Sequence, residues 1–262
     1  MKVKGFFIAV LFAAVSVFST GQCYAAETGQ PKKEQKNILS KALAHWDMDA
    51  NQGDLFTDSK GINSMRTYRT EQVEGVSGKA AHFNGRDSHI DTLVNTASFE
   101  SGVTVSLWMK PEECEMDSNC IVFDTDHDEA SNMVFQSTDR KAEKFAWYSS
   151  GNVVIVNVPR EKWSHVILII DKKNKSMSAY VNGRKSRATA NYKTFKFNPA
   201  PMTFGKFTSS DARYYRGGID EVAVWTNPLT EKEIAELLSL YNVSVENTKS
   251  KGAAYDFKRT EN

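Results

Sequence analysis

The chain has 262 residues, with 33 Lys and Arg against 32 Asp and Glu and a formal charge of +1. So even a balance leaves no electrostatic footprint for nucleic acid or an anionic membrane surface. About 200 residues lie between two polar ends, a length that one β-sandwich occupies as a single domain.

Residues 1–25 are expected to form a secretory signal. Lys2 and Lys4 start it, an apolar run from Gly5 to Phe18 follows, and Cys23, Tyr24 and Ala25 precede the cleavage point. Removing two lysines and no acid turns the charge of +1 into −1. Acylation of Cys23 is disfavoured because Gln22 and Thr20 occupy positions where a lipoprotein signal carries a small residue and a Leu-like one. The apolar run also falls short of the ~20 residues of a transmembrane helix. The chain is therefore expected to be secreted or periplasmic.

Residues 26–41 are polar and rich in Lys and Gln and read as a linker, residues 42–242 as the folded domain, and residues 243–262 as a polar tail. Within the domain, Val103, Val105, Leu107 and Met109 share one strand parity while Thr104, Ser106 and Trp108 share the other, and Pro111 ends the strand. Cys114 and Cys120 are the two cysteines beyond the leader. In an oxidising compartment they are expected to form a local disulfide worth roughly 2–3 kcal/mol. The rival, a metal site, lacks further thiol or imidazole ligands in that segment.

Val153 to Val158 reads as a strand before Pro159, and Val166 to Ile170 is apolar on both parities, as in a strand covered on both sides. Met177 to Val181, Asn182-Gly183 and Arg184 to Ala188 make a hairpin with a type I′ turn. Thr230-Glu-Lys-Glu233 is a capping box, and Ile234, Leu237, Leu238 and Tyr241 follow at helical spacing. Many strands and one short C-terminal helix predict an all-β, two-sheet antiparallel sandwich.

Several segments together resemble the laminin-G-like jelly rolls of the concanavalin A-like lectin/glucanase superfamily. They are Ala44-His-Trp-Asp-Met-Asp49, Gly78-Lys-Ala-Ala-His-Phe-Asn-Gly85, Ile90-Asp91, Val103 to Trp108, Trp163-Ser-His165 with Ala179 to Gly183, and the closing Gly217-Gly-Ile-Asp-Glu-Val-Ala-Val-Trp225. The resemblance implies a jelly-roll sandwich used for glycan or protein binding, with a structural Ca²⁺ near one sheet edge. Asp47, Asp49 and Asp220 stand where such relatives place a metal or an edge-locking polar contact. Plain alternation gives Asp220 the parity of Val222 and Val224, so its carboxylate is expected to be either a calcium ligand or a buried hydrogen-bond acceptor. A second acidic run, Asp124-Thr-Asp-His-Asp-Glu129, fails as an EF-hand because its sixth residue is Glu129 and its twelfth is Phe135.

Sugar sites need aromatic platforms beside polar groups. Trp46, Trp108, Trp163 and Trp225 coincide with aromatics of the family pattern and are expected to pack, as is His165. Trp147 and Tyr148, and Asp211, Arg213 and Tyr214, are the candidate ligand-binding residues. For catalysis the chain offers neither a Glu-x-Asp-x-x-Glu strand nor a Ser-His-Asp arrangement. Glu113 and Glu115 fall in the cysteine loop, Asp220 and Glu221 are adjacent and expected on opposite faces, and Arg69-Thr-Glu71 matches one lyase-like segment without its partners. Three readings follow: a secreted, non-catalytic carbohydrate-binding module, a protein-interaction or adhesion module of laminin-G or pentraxin type, and a glycan-cleaving enzyme.

Overall fold

A computed structural model describes residues 37–49, 51–115, 119–128, 131–187, 194–210 and 212–244. The leader at 1–25, most of the 26–41 stretch and the tail from 245 onward lie outside the described residues. So do Asp211, Glu129 and Ala188.

In chain order the strands are β1 (Ala44–Trp46), β2 (Asn51–Gln52), β3 (Leu55–Phe56), β4 (Met65–Tyr68), β5 (Glu71–Glu74), β6 (Lys79–Asn84), β7 (His89–Asn95) and β8 (Gly102–Pro111). They continue with β9 (Ile121–Asp124), β10 (Met133–Ser137), β11 (Lys144–Ser149), β12 (Asn152–Asn157), β13 (Ser164–Asp171), β14 (Ser176–Val181), β15 (Arg184–Arg187), β16 (Pro201–Phe204) and β17 (Arg216–Trp225). One helix, α1 (Glu231–Leu240), closes the domain. Sheet A has the order β15-β14-β13-β8-β17-β6-β5 with β1 beside β17, and sheet B the order β12-β11-β10-β9-β16-β7-β4-β3-β2. The strand pairs within both are antiparallel, as the jelly-roll reading expects.

Alternation dictates which side chains meet between the sheets. Val103, Val105, Leu107 and Met109 of β8 join Phe123, Phe135, Phe145 and Trp147 of sheet B in one buried cluster. The other parity of β8 is buried as well: Thr104, Ser106 and Trp108 are at most 2% exposed. This face lies under α1 and the 3-10 turn Ile38–Lys41, whose Ile38 packs with Ile167, Trp225, Ile234 and Leu238 in a second apolar cluster. The Trp225 indole donates to the Ile38 carbonyl at 3.2 Å, so residue 38 onward is part of the packed domain.

The turn and cap signals act locally as their chemistry requires. Asn182 and Gly183 both have positive φ, 48° and 78°, in the β14–β15 turn. Thr230 caps α1 by accepting from the Glu233 amide while the Glu233 side chain accepts from the Thr230 amide, a complete capping box. Cys114 and Cys120 are joined by a disulfide.

One expectation is corrected. Asp220 does not share a face with Val222 and Val224, and Glu221 does not oppose it. The β17–β8 register runs from Asp220 opposite Trp108 to Ala223 opposite Ser106, so Glu221 and Val222 stand against Leu107 alone, and Glu221 has φ of 48°. The extra residue is a β-bulge, which reverses the alternation beyond it. Ile219, Val222 and Val224 therefore face the sandwich core, while Ala223 and Trp225 join the outer cluster.

Candidate functional site

The bulge places Asp220 where β17 passes from pairing with β6 to pairing with β1, at the edge of the β5–β6 turn. Its Oδ2 accepts from the amides of Val76 at 2.8 Å and Ser77 at 3.4 Å, and its Oδ1 from the Glu221 amide at 2.8 Å. Burial pushes its pKa up to about 7 against the pull of these donors. Asp49 grips the same turn from the other side, accepting from the Lys79 amide at 2.6 Å, and Asp47 accepts from the Asp49 amide at 3.1 Å. Gly75 and Gly78 permit this approach, since a Cβ at Gly75 would lie 2.5 Å from Asp220 Oδ2 and one at Gly78 2.0 Å from Asp49 Oδ1. Asp47, Asp49 and Asp220 thus meet N–H donors, the arrangement of hydrogen-bond anchors.

Next to this edge lies a buried polar cluster under α1. Glu221 Oε2 lies 2.8 Å from His45 Nε2 and 3.0 Å from the Tyr241 hydroxyl. His165 Nε2 and Ser106 Oγ are 2.8 Å apart, and the His165 ring packs against Trp108 and Tyr241. Burial drives the His165 pKa down to about 3, so the ring is neutral. A Ser–His contact at this depth has no access for a substrate, since Ser106 and His165 are each 1% exposed. The contact joins β8 to β13, and the His165 ring packs Tyr241 at the end of α1 against sheet A.

The sequence-derived aromatic candidates separate in space. Trp147 is fully buried in the core and presents no face to a ligand. Tyr148, its neighbour on β11, points to the outer face of sheet B opposite Val134 and Val153, with its ring 6.3 Å from that of His127. Arg213 has φ of 58° and lays its guanidinium over the Phe207 ring at 4.2 Å. Tyr214 bridges to Ile121 and is buried outside the sandwich cluster that Tyr215 enters.

Tyr214 meets residues that no motif singled out. It lines a recess of about 640 Å³ at one end of sheet B, together with Asp54, Tyr68, Arg69, Arg86, Asp87 and His89. Tyr68 ends β4 and His89 begins β7, and the register sets them directly opposite each other. Their rings stack with centroids 4.3 Å apart and planes within 8°. Arg69, at φ of 52°, pairs with Asp87, whose other oxygen accepts from Asn84 Nδ2 at 2.9 Å. These hydrogen bonds, from Asn84 and then Arg69, hold the Asp87 carboxyl below the usual carboxylate range. On the far rim, Arg86 reaches Glu115 Oε2 at 3.4 Å, and Glu115 also pairs with Arg216. Tyr148 is five strands away from Tyr68 along sheet B, roughly 24 Å, so the two are not one site.

The recess collects two tyrosines, an imidazole, two guanidinium groups and two carboxylates, with Tyr214 largely buried beneath the others. Two of its residues stood out in the sequence, Tyr214 as a candidate platform and Arg69 for its place near Glu71. What assembles the rest is the pairing of β4 with β7 and the return of the 206–215 loop.

The sequence profile of the concanavalin A-like lectin/glucanases superfamily, laminin G type, matches residues 84–235. No curated protein matches the chain significantly. Among solved structures, domain 4 of an extracellular arabinanase from Geobacillus stearothermophilus, in complex with arabinotriose, is similar at a TM-score of 0.55 and 24% identity, over 75% of this chain and 98% of that one. A sialidase from Trypanosoma rangeli matches at 0.59 and 14% over 76% of this chain and 33% of its own. The receptor-binding domain of botulinum neurotoxin type G matches at 0.57 and 11% over 76% and 51%. At such identities these structures share the fold. With the two sheets, their strand order and the matched segment in agreement, the chain belongs to the laminin-G-type family of the concanavalin A-like lectin/glucanases superfamily.

Proposed function

We propose that this protein is an exported, non-catalytic carbohydrate-binding module whose site is the recess at the end of sheet B. The observation that carries the reading is the stacked Tyr68–His89 pair beside Tyr214, an aromatic platform flanked by guanidinium and carboxylate groups. A sugar ring offers an apolar face to such a platform and hydroxyls to its polar rim. The similar arabinanase domain was solved in complex with arabinotriose, which supports the reading. The disulfide suits an oxidising compartment, and among the described residues no helix is long and apolar enough to cross a membrane.

Retention on a panel of immobilised polysaccharides tests the reading, with Tyr68→Ala as the site variant. The wild type is expected to be retarded on at least one polymer and Tyr68→Ala to lose that retardation with its melting temperature unchanged. Absence of binding to every polymer would move the assignment to protein recognition.

A further inference from the structure

We propose that the recess selects a negatively charged sugar, one bearing a carboxylate or a sulfate ester; this rests on the glycan-binding reading above. Two guanidinium groups stand at its rim with their side chains largely in solvent, Arg69 at 72% and Arg86 at 73% exposure. Each commits one terminal amino group to a carboxylate, Arg69 to Asp87 and Arg86 to Glu115. A guanidinium carries five N–H donors in a planar fork, so donors are left for a second anion.

The acidic partners themselves are already engaged by fixed groups. Asp87 is held by Asn84 as well as Arg69, and Glu115 by Arg216 as well as Arg86. Asn84 takes one oxygen of Asp87 and Arg216 one of Glu115, so each carboxylate holds its rim guanidinium through a single oxygen and leaves the rest of the fork open. Asp54 remains on the lining as an acceptor for sugar hydroxyls. Stacking on Tyr68 and His89 fixes the plane of the ring, and Arg69, next to Tyr68 in sequence, is placed to take a charged substituent at that ring's edge. Bidentate guanidinium–oxyanion contacts are the strong, directional kind, and they weaken with salt when exposed.

The test compares wild type, Tyr68→Ala and the Arg69→Gln/Arg86→Gln double variant on a polyuronate, a sulfated galactan and a neutral galactan of matched length. Circular dichroism melts confirm that each variant is folded. The expected result is preferential wild-type binding to one or both acidic polymers, weakened by 0.5 M salt, with the double variant binding them at least tenfold less tightly. The polyuronate and sulfate arms separate the two anions. Equal binding to the neutral polymer, unaltered in the double variant and lost in Tyr68→Ala, would overturn the charge selectivity and leave the glycan site standing. No binding by the wild type to any of the three would overturn both.

Discussion

The Tyr241 hydroxyl donates to Glu221 Oε2 at 3.0 Å and so ties the end of α1 to the bulge of β17. The same oxygen lies 2.8 Å from His45 Nε2 on β1, making Glu221 the point where the N-terminal strand and the C-terminal helix are joined. Tyr241→Phe keeps the ring against Trp108 and His165 but removes the donor. A hydrogen bond to a charged, buried acceptor contributes about 1.5–3 kcal/mol. The melting temperature should therefore fall by roughly 3–10 °C in calorimetry, and an unchanged value would show that the contact does not hold the helix.

Asp220 and His165 should make the pH dependence of stability the balance of two opposing groups. The Asp220 pKa is raised to about 7, so its contribution is fully present below the ordinary carboxylate range and is lost as pH rises through 7. The His165 pKa is lowered to about 3, so its contribution is present above the ordinary histidine value and is lost as pH falls toward 3. Between pH 4 and 6.5 the two nearly offset each other. Melting curves of Asp220→Asn across pH 4–8 should show stability falling more steeply on acidification than in wild type, and those of His165→Phe should show the reverse. Parallel curves for all three proteins would refute the assignment.

Reduction of the Cys114–Cys120 bridge should cost about 2–3 kcal/mol, which for a domain of this size is a loss of about 5–10 °C. The bridge also holds the loop from which Glu113 pairs with Arg140 and Arg160 and Glu115 with Arg86 and Arg216. Differential scanning fluorimetry with and without a reductant measures the loss, and a Cys114→Ser/Cys120→Ser variant should reproduce it and become insensitive to reductant.

The same instrument tests the metal reading. With Asp47, Asp49 and Asp220 engaged by backbone N–H groups, melting in millimolar Ca²⁺ and in chelator should coincide. A rise of several degrees in Ca²⁺, abolished in Asp49→Ala, would show instead that these oxygens leave their donors for the ion. Gly78→Ala should destabilise in either buffer, because its Cβ would collide with the Asp49 carboxylate at a φ of 60°.

The local signals in the chain determined much of the fold on their own. The alternation in β8, the doubly apolar β13, the Asn182-Gly183 turn and the Thr230 capping box each depend on neighbours within a few residues, where backbone geometry leaves little choice. The disulfide was legible for the same reason, two cysteines a short loop apart. Tertiary structure decided the rest. One bulge residue at Glu221 reversed the parity on which the placement of Asp220 depended, and bulges leave no periodic trace in a sequence. Trp147 and Tyr148 look equivalent in the chain, yet the pleat sends one into the core and the other out. The recess itself joins Tyr68, His89 and Tyr214 across gaps of about 20 and 125 residues, and such long-range register is set by which strands pair within sheet B, which no local pattern encodes.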